Sequence, residues 1–197
     1  RGWAGLYNMD ARTGFKSRIR KLTERLEELQ PDLVHGHGTE DAYGLAAVRS
    51  GLPSVVSIQG VINDYLRTNP IVRFKLTAKT ERQTIENGKY FMCRTHYDKS
   101  FVKSLNPKAE IIHMPEPMNY CFFEVKRELS IPYRILHVGG FHERKGLEDM
   151  LKAFRIILDK FPDSSLDVVG SGEISRGKLL REMAQDFGVG ESNNSII

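Results

Sequence analysis

Short apolar runs alternate with longer amphipathic stretches along most of this chain, and that alternation predicts an α/β fold built on parallel, doubly wound sheet. Two further features agree. The apolar runs end in glycine-containing or polar turns, among them Gly36-His37-Gly38, Gln59-Gly60 and Gly139-Gly140, and helical stretches stop at Pro31, at Gly51 with Pro53, and at Pro162. With 197 residues, 40% of them hydrophobic, the chain can bury a substantial core in one large or two small domains.

The elements follow in order. A helix is predicted over 16–29, where Ile19, Leu22, Leu26 and Leu29 fall on one face. Asp32-Leu33-Val34-His35 reads as a short buried strand, followed by a helix near 41–49. Residues 54–58 are strand-like, 71–86 helical, and 89–93 a further strand. Thr95 can cap a helix near 97–105, because its hydroxyl can accept from a first-turn amide. A strand at 109–113 precedes the irregular Pro115-Glu116-Pro117. Two last strands, 135–138 and 166–169, flank a helix in which Leu147, Met150, Leu151, Phe154, Ile157, Leu158 and Phe161 recur at helical spacing. A right-handed crossover makes these strands parallel and brings Gly139-Gly140 and Gly170-Ser171-Gly172 to neighbouring strand ends, where α/β sheets bind ligands.

Composition narrows the classes. Cys93 and Cys121 are too few for a disulfide framework or a zinc cluster, and no signal-like or membrane-spanning run is present, so a reducing cytoplasmic setting is expected. The net charge of +4 is uneven: between Arg67 and Lys108, ten basic residues stand against Glu81, Glu86 and Asp98. A solvated helix face accounts for such a run. Peripheral contact with anionic lipid at the inner membrane face, or with a phosphate-bearing acceptor, is the alternative, since Phe74, Leu76, Ala78 and Ile85 interleave with the bases. Nucleic acid is not expected, because no RNA- or DNA-reading motif accompanies the charge.

Two segments carry chemistry. His35 and His37 are two apart on a strand, so both imidazoles point to one side. Such a pair could ligate a divalent ion in an H-x-H hydrolase, hydrogen-bond sugar hydroxyls without a metal, or simply satisfy buried backbone groups. The other histidines, at 96, 113, 137 and 142, lack the strand-end carboxylates that would complete a metal cluster, so no metal is expected. The second segment is Gly139-Gly140 followed by Arg144-Lys145-Gly146 and a helix. Glycines let the backbone approach a ligand, a helix start offers amides and a positive dipole end, and the two cations add charge, which together suit a diphosphate. Neither G-x-G-x-x-G nor G-x-x-x-x-G-K-[ST] is present, which disfavours a Rossmann dehydrogenase and a P-loop NTPase.

The run Ile135-Leu136-His137-Val138-Gly139-Gly140, with Arg144-Lys145-Gly146-Leu147 and Leu166-Asp167-Val168-Val169-Gly170-Ser171-Gly172-Glu173, resembles the start of the C-terminal domain of family 4 retaining glycosyltransferases. Earlier segments are similar to that family in the same order. They are Gln30-Pro31-Asp32-Leu33-Val34-His35-Gly36-His37-Gly38, the stretch Gly51 to Gly60, Tyr90 to Thr95, and Ile111 to Phe123. The resemblance spans about Gln30 to Val189.

It implies a GT-B fold of two Rossmann-like domains, 1–128 on the acceptor side and 129–197 on the donor side, both incomplete. Sugar would pass from a nucleotide-diphosphate donor to a carbohydrate, lipid or small-molecule acceptor with retained configuration, without a metal or other cofactor. Gly139, Gly140, Arg144 and Lys145 would hold the diphosphate, Gly170, Gly172 and Glu173 would border the nucleoside, and His37 with His35 would serve the transferred sugar as catalytic residues. Gly140 stands at the family's arginine position, so either Arg144 substitutes or donor binding is weakened. Gln59 replaces a common histidine, keeping hydrogen bonding but losing a protonation switch. The family's two glutamates separated by seven residues and its glycine-rich first loop are not in this stretch, which is expected to transfer no sugar by itself. A non-catalytic sugar-nucleotide-binding remnant is the alternative, and the H-x-H hydrolase a distant third.

Overall fold

The computed structural model describes residues 9–68, 70–126, 133–140, 145–170 and 181–189. The chain divides into two compact units, Arg1–Asn119 and Tyr120–Ile197.

Unit 1 carries α1 (Lys16–Leu29), β1 (Val34–His37), α2 (Ala42–Arg49), β2 (Ser54–Ser57), α3 (Ile62–Thr68), α4 (Val72–Asn87), β3 (Tyr90–Cys93), α5 (His96–Leu105) and β4 (Glu110–His113). All four strands are parallel, in the order β1-β2-β3-β4. Progress in one direction with right-handed crossovers puts the connecting helices on one face. The order reversal of a doubly wound sheet does not fall among the described strands.

Register places Gly36, Val56, Phe91 and Ile111 side by side, and this row meets the helices. Val56, Ile58, Phe91 and Cys93 pack with Ile85 of α4 and Val102 of α5. A second cluster joins Phe15 and Ile19 to Ala42, Leu45 and Ala46 of α2. Arg18 bridges Asp10 at 2.7 Å and Asp41 at 2.6 Å, and Asp41 also caps α2 by accepting from the Ala42 amide. The Thr95 cap is a full capping box with Asp98.

β1 starts two residues later than expected and is not buried throughout. Only Gly36 is buried, while His35 and His37 are exposed. A Cβ on Gly36 would lie 2.9 Å from Cα of Gly44 and 3.0 Å from Cβ of Ala47, so α2 crosses β1 almost backbone to backbone. The helix-facing position therefore accepts only glycine, and the flanking histidines take the opposite face. The helix α3 is an addition that the apolar periodicity did not signal.

Unit 2 carries α6 (Cys121–Glu124), β5 (Arg134–Val138), α7 (Leu147–Lys160) and β6 (Ser165–Val169). β5 and β6 are parallel, with Leu136 opposite Asp167 and His137 opposite Val168. Leu147, Leu151, Phe154 and Leu158 of α7 are buried on Leu166 and Val168, joined by Ala184 and Val189. Each such side chain contributes about 1.5–3 kcal/mol on full burial, which is what holds α7 to the strands. On the other face Leu136 and Val138 are 62% and 71% exposed, beside the ion pair of Arg134 with Asp167.

Candidate functional site

In unit 2 the chain leaves the sheet at Gly139. Its amide still donates to the Val169 carbonyl at 2.9 Å, so pairing with β6 runs one residue beyond β5. A Cβ there would lie 3.2 Å from Nε2 of His137 and 3.9 Å from Cδ of Lys145. A side chain at 139 would crowd the His137 ring, which would have to give by a few tenths of an ångström, while the lysine stem lies at ordinary contact distance. At 146 glycine is needed for conformation, since φ is +66° and a Cβ would meet nothing within 4 Å.

From Gly146, α7 begins with no side-chain cap hydrogen bond among the described residues. Amides at a helix start, with the positive dipole end, are groups that can face an anion. Lys145 is exposed and forms no salt bridge among the described residues. Glu148 and Asp149 also stand in this first turn, but Glu148 is drawn along the helix to Lys152 at 2.7 Å. Gly140 is half-buried and Gly170, just after β6, is exposed. Arg144, Gly172 and Glu173 lie outside the described residues.

In unit 1 the histidines share a face as their spacing predicts, with ring centroids 6.0 Å apart in a T-shaped arrangement. They are not equivalent. His35 Nε2 lies 3.1 Å from Ser57 Oγ on β2, and Gln59 donates to the same hydroxyl at 3.2 Å. The imidazole of His37, at the strand end, has no hydrogen-bond partner among the described residues. His35 is thus held as part of a polar row, whereas the His37 imidazole has no such tie among the described residues. No group of three or more His, Cys, Asp or Glu side chains that could hold a metal occurs among the described residues.

Two residues outside the sequence-derived set organise this edge. Glu81, wholly buried in α4, accepts from the Thr39 hydroxyl at 3.0 Å, the Ile62 amide at 2.9 Å, and the amide and side chain of Asn63 at 3.0 and 2.6 Å. It ties the loop after His37 to the first turn of α3. Burial pushes this carboxyl above its ordinary range, and the four donors offset only part of that rise. Arg94, following β3, pairs with Glu116 at 2.6 Å, donates to the Gln59 carbonyl, and receives His113 on its own carbonyl at 3.2 Å. It therefore pins the segments after β2 and β4 to the end of β3.

The basic stretch splits by position. Arg73, Lys75, Lys79 and Arg82 are exposed on α4. Of its apolar residues, Ala78 and Ile85 are buried, Leu76 packs on the α1–α2 cluster and Phe74 lies against Tyr65, whereas Val72 at its start and Ile71 before it are exposed. No helix among the described residues is long and apolar enough to cross a membrane.

No known protein-family profile matches the chain. It is 27% identical over 144 residues, 72% of this chain and 40% of the relative, to an uncharacterized glycosyltransferase, YqgM, of Bacillus subtilis (strain 168). Among solved structures it is similar to a protein assigned as a UDP-N-acetylglucosamine 2-epimerase from Listeria monocytogenes. The TM-score is 0.55 and the identity 17%, over 92% of this chain and 50% of that one. S. aureus MnaA, solved with UDP, gives a TM-score of 0.57 and 18% identity over 95% of this chain and 53% of that one. The chain spans about half the length, or less, of these proteins. It has the Rossmann-like α/β fold with parallel sheets of the two solved structures, and its sequence likeness is to a glycosyltransferase.

Proposed function

We propose that this chain is part of a retaining glycosyltransferase of family 4 type, using a nucleotide-diphosphate sugar as donor. The observation that supports it most is that an exposed Lys145, a helix start with no side-chain cap among the described residues, and Gly139 come together by the ends of two parallel strands. Departure of a diphosphate builds negative charge on the leaving oxygen. Lys145 Nζ and the first amides of α7 stabilise that charge in place, and no metal is required for it. Arg144 is the second cation in this scheme, taking the role that Gly140 cannot. In unit 1, His37 hydrogen-bonds the transferred sugar or the acceptor, and Ser57 fixes His35 beside it.

The acceptor is a carbohydrate, lipid or small molecule, and the exposed cations within 67–108 suit an anionic acceptor or the cytoplasmic face of a membrane. A second reading, donor binding without transfer, draws on Gly140 and on Gln59, whose amide does not titrate near neutral pH and so cannot serve as a general acid or base.

Calorimetric titration with a panel of uridine, guanosine and adenosine diphosphate sugars tests the proposal. One donor should bind saturably, and Lys145→Ala should weaken it about tenfold or more, as expected for a lost charge-assisted contact of about 1.5–3 kcal/mol. Absence of binding across the panel, or an unchanged affinity in the variant, would count against a diphosphate site at this turn.

A further inference from the structure

His137 lies on the face of β5 that packs under α7, in a row with Ile135, Leu166 and Val168. It is the one polar side chain among these four. Its Nε2 is shielded from solvent and has no hydrogen-bond partner among the described residues. A buried imidazole nitrogen left unpaired costs about 1–3 kcal/mol, and a phenylalanine would fill the position without that cost. The nitrogen sits where a Cβ on Gly139 would approach to 3.2 Å, and the Lys145 stem reaches 3.9 Å from the same point. The orphan nitrogen, the bare glycine and the lysine therefore converge where the chain turns off the sheet.

We infer that His137 is a binding residue for the donor diphosphate, its Nε2–H donating to a phosphate oxygen held over the Gly139-Gly140 turn. This rests on the nucleotide-sugar reading above and adds a residue to it. It also gives a physical reason for the glycine at 139: any Cβ would separate the ring from the anion. With Gly140 carrying no side chain, His137 supplies a directed donor from inside the strand, complementing the mobile ammonium of Lys145.

The test is calorimetry of the full 197-residue chain with UDP and, separately, with inorganic pyrophosphate, comparing wild type, His137→Phe and Lys145→Ala. The expected result is an affinity for both probes at least fivefold weaker in His137→Phe, with a melting temperature equal to or above that of wild type. Wild-type affinity in His137→Phe, with binding lost in Lys145→Ala, would overturn the role of His137 and leave the diphosphate site standing. No binding of either probe by wild type would overturn both. Should His137→Phe not fold, the long-range 15N spectrum of the unmodified chain decides: the His137 Nε2 resonance must move as UDP saturates, and a stationary resonance overturns the assignment.

Discussion

Replacing Glu81 by alanine tests how unit 1 holds its sheet edge. The carboxylate accepts four hydrogen bonds, two of them buried, from Thr39 and from the Ile62 amide. Alanine leaves both buried donors unpaired at about 1–3 kcal/mol each, while the Thr39 hydroxyl can rotate and the Asn63 groups can reach water. Removing the desolvated carboxyl returns part of that, so a net loss of about 3 kcal/mol is expected. Unfolding entropy of about 2.1 cal/mol/K per residue across the 119 residues of unit 1 is about 0.25 kcal/mol/K. The unit should therefore melt about 12 °C lower, followed by circular dichroism or calorimetry. The pH dependence has a definite sign. Because the folded-state pKa is raised, Glu81 contributes most stability below the ordinary carboxylate range and loses it as pH rises through the folded value. The gap between wild type and Glu81→Ala should thus be wider at pH 4 than at pH 8. A shift under about 4 °C, or a gap that widens toward pH 8, would refute the proposed clamp.

Two further outcomes follow from packing alone. In Gly44→Ala the new Cβ would sit 2.5 Å from the Gly38 carbonyl oxygen and 3.1 Å from Thr84 Cγ2. Backbone cannot move aside cheaply, so α2 should lose about 1–3 kcal/mol to overpacking despite a better helix former, and denaturant unfolding measures it. Cys93 is buried, and burial, with Asp98 nearby, pushes its thiol up to about 11, whereas Cys121 is exposed. At pH 8 iodoacetamide should modify Cys121 alone until the unit unfolds, as mass spectrometry of the peptides would show. The raised thiol stabilises the fold below its ordinary range, and that contribution fades as pH climbs through about 11.

What the sequence made legible depended on how local the cause was. The periodicity of α7 was plain because Leu147, Leu151, Phe154 and Leu158 all meet one apolar surface. The Thr95 cap and its helix were plain because the partners are three residues apart. Helix α3 was not: it is seven residues long, and part of its first turn is held by Glu81, about nineteen positions downstream. The same residue hid in α4, whose buried face is Thr77, Ala78, Thr80, Glu81, Thr84 and Ile85. Four polar residues at helical spacing read as solvent-facing, and only the loops they meet make that face an interior one. Arg94 was counted among surface bases, yet it is a half-buried tie between three strand ends. At the candidate site, the His35–His37 pairing was legible from two-residue alternation, and Ser57 would have followed had the β1–β2 register been known.

That alternation also separates the two histidine-bearing strand ends, which look alike as sequence. In His35-Gly36-His37 the glycine faces the helices and the imidazoles take the open face, where Ser57 and Gln59 offer neutral donors and acceptors. In His137-Val138-Gly139 the valine is the exposed residue, and by alternation the imidazole takes the helix side, close to Gly139, which the Lys145 stem also approaches. A neutral polar row suits hydroxyls, which need both donors and acceptors. On the proposed reading, helix-start amides, an ammonium and an imidazole N–H supply donors at this strand end while Glu148 is engaged by Lys152, and that suits an oxyanion. The chemistry each unit can bind follows from which face its histidine takes, and the register of one strand against the next sets that face.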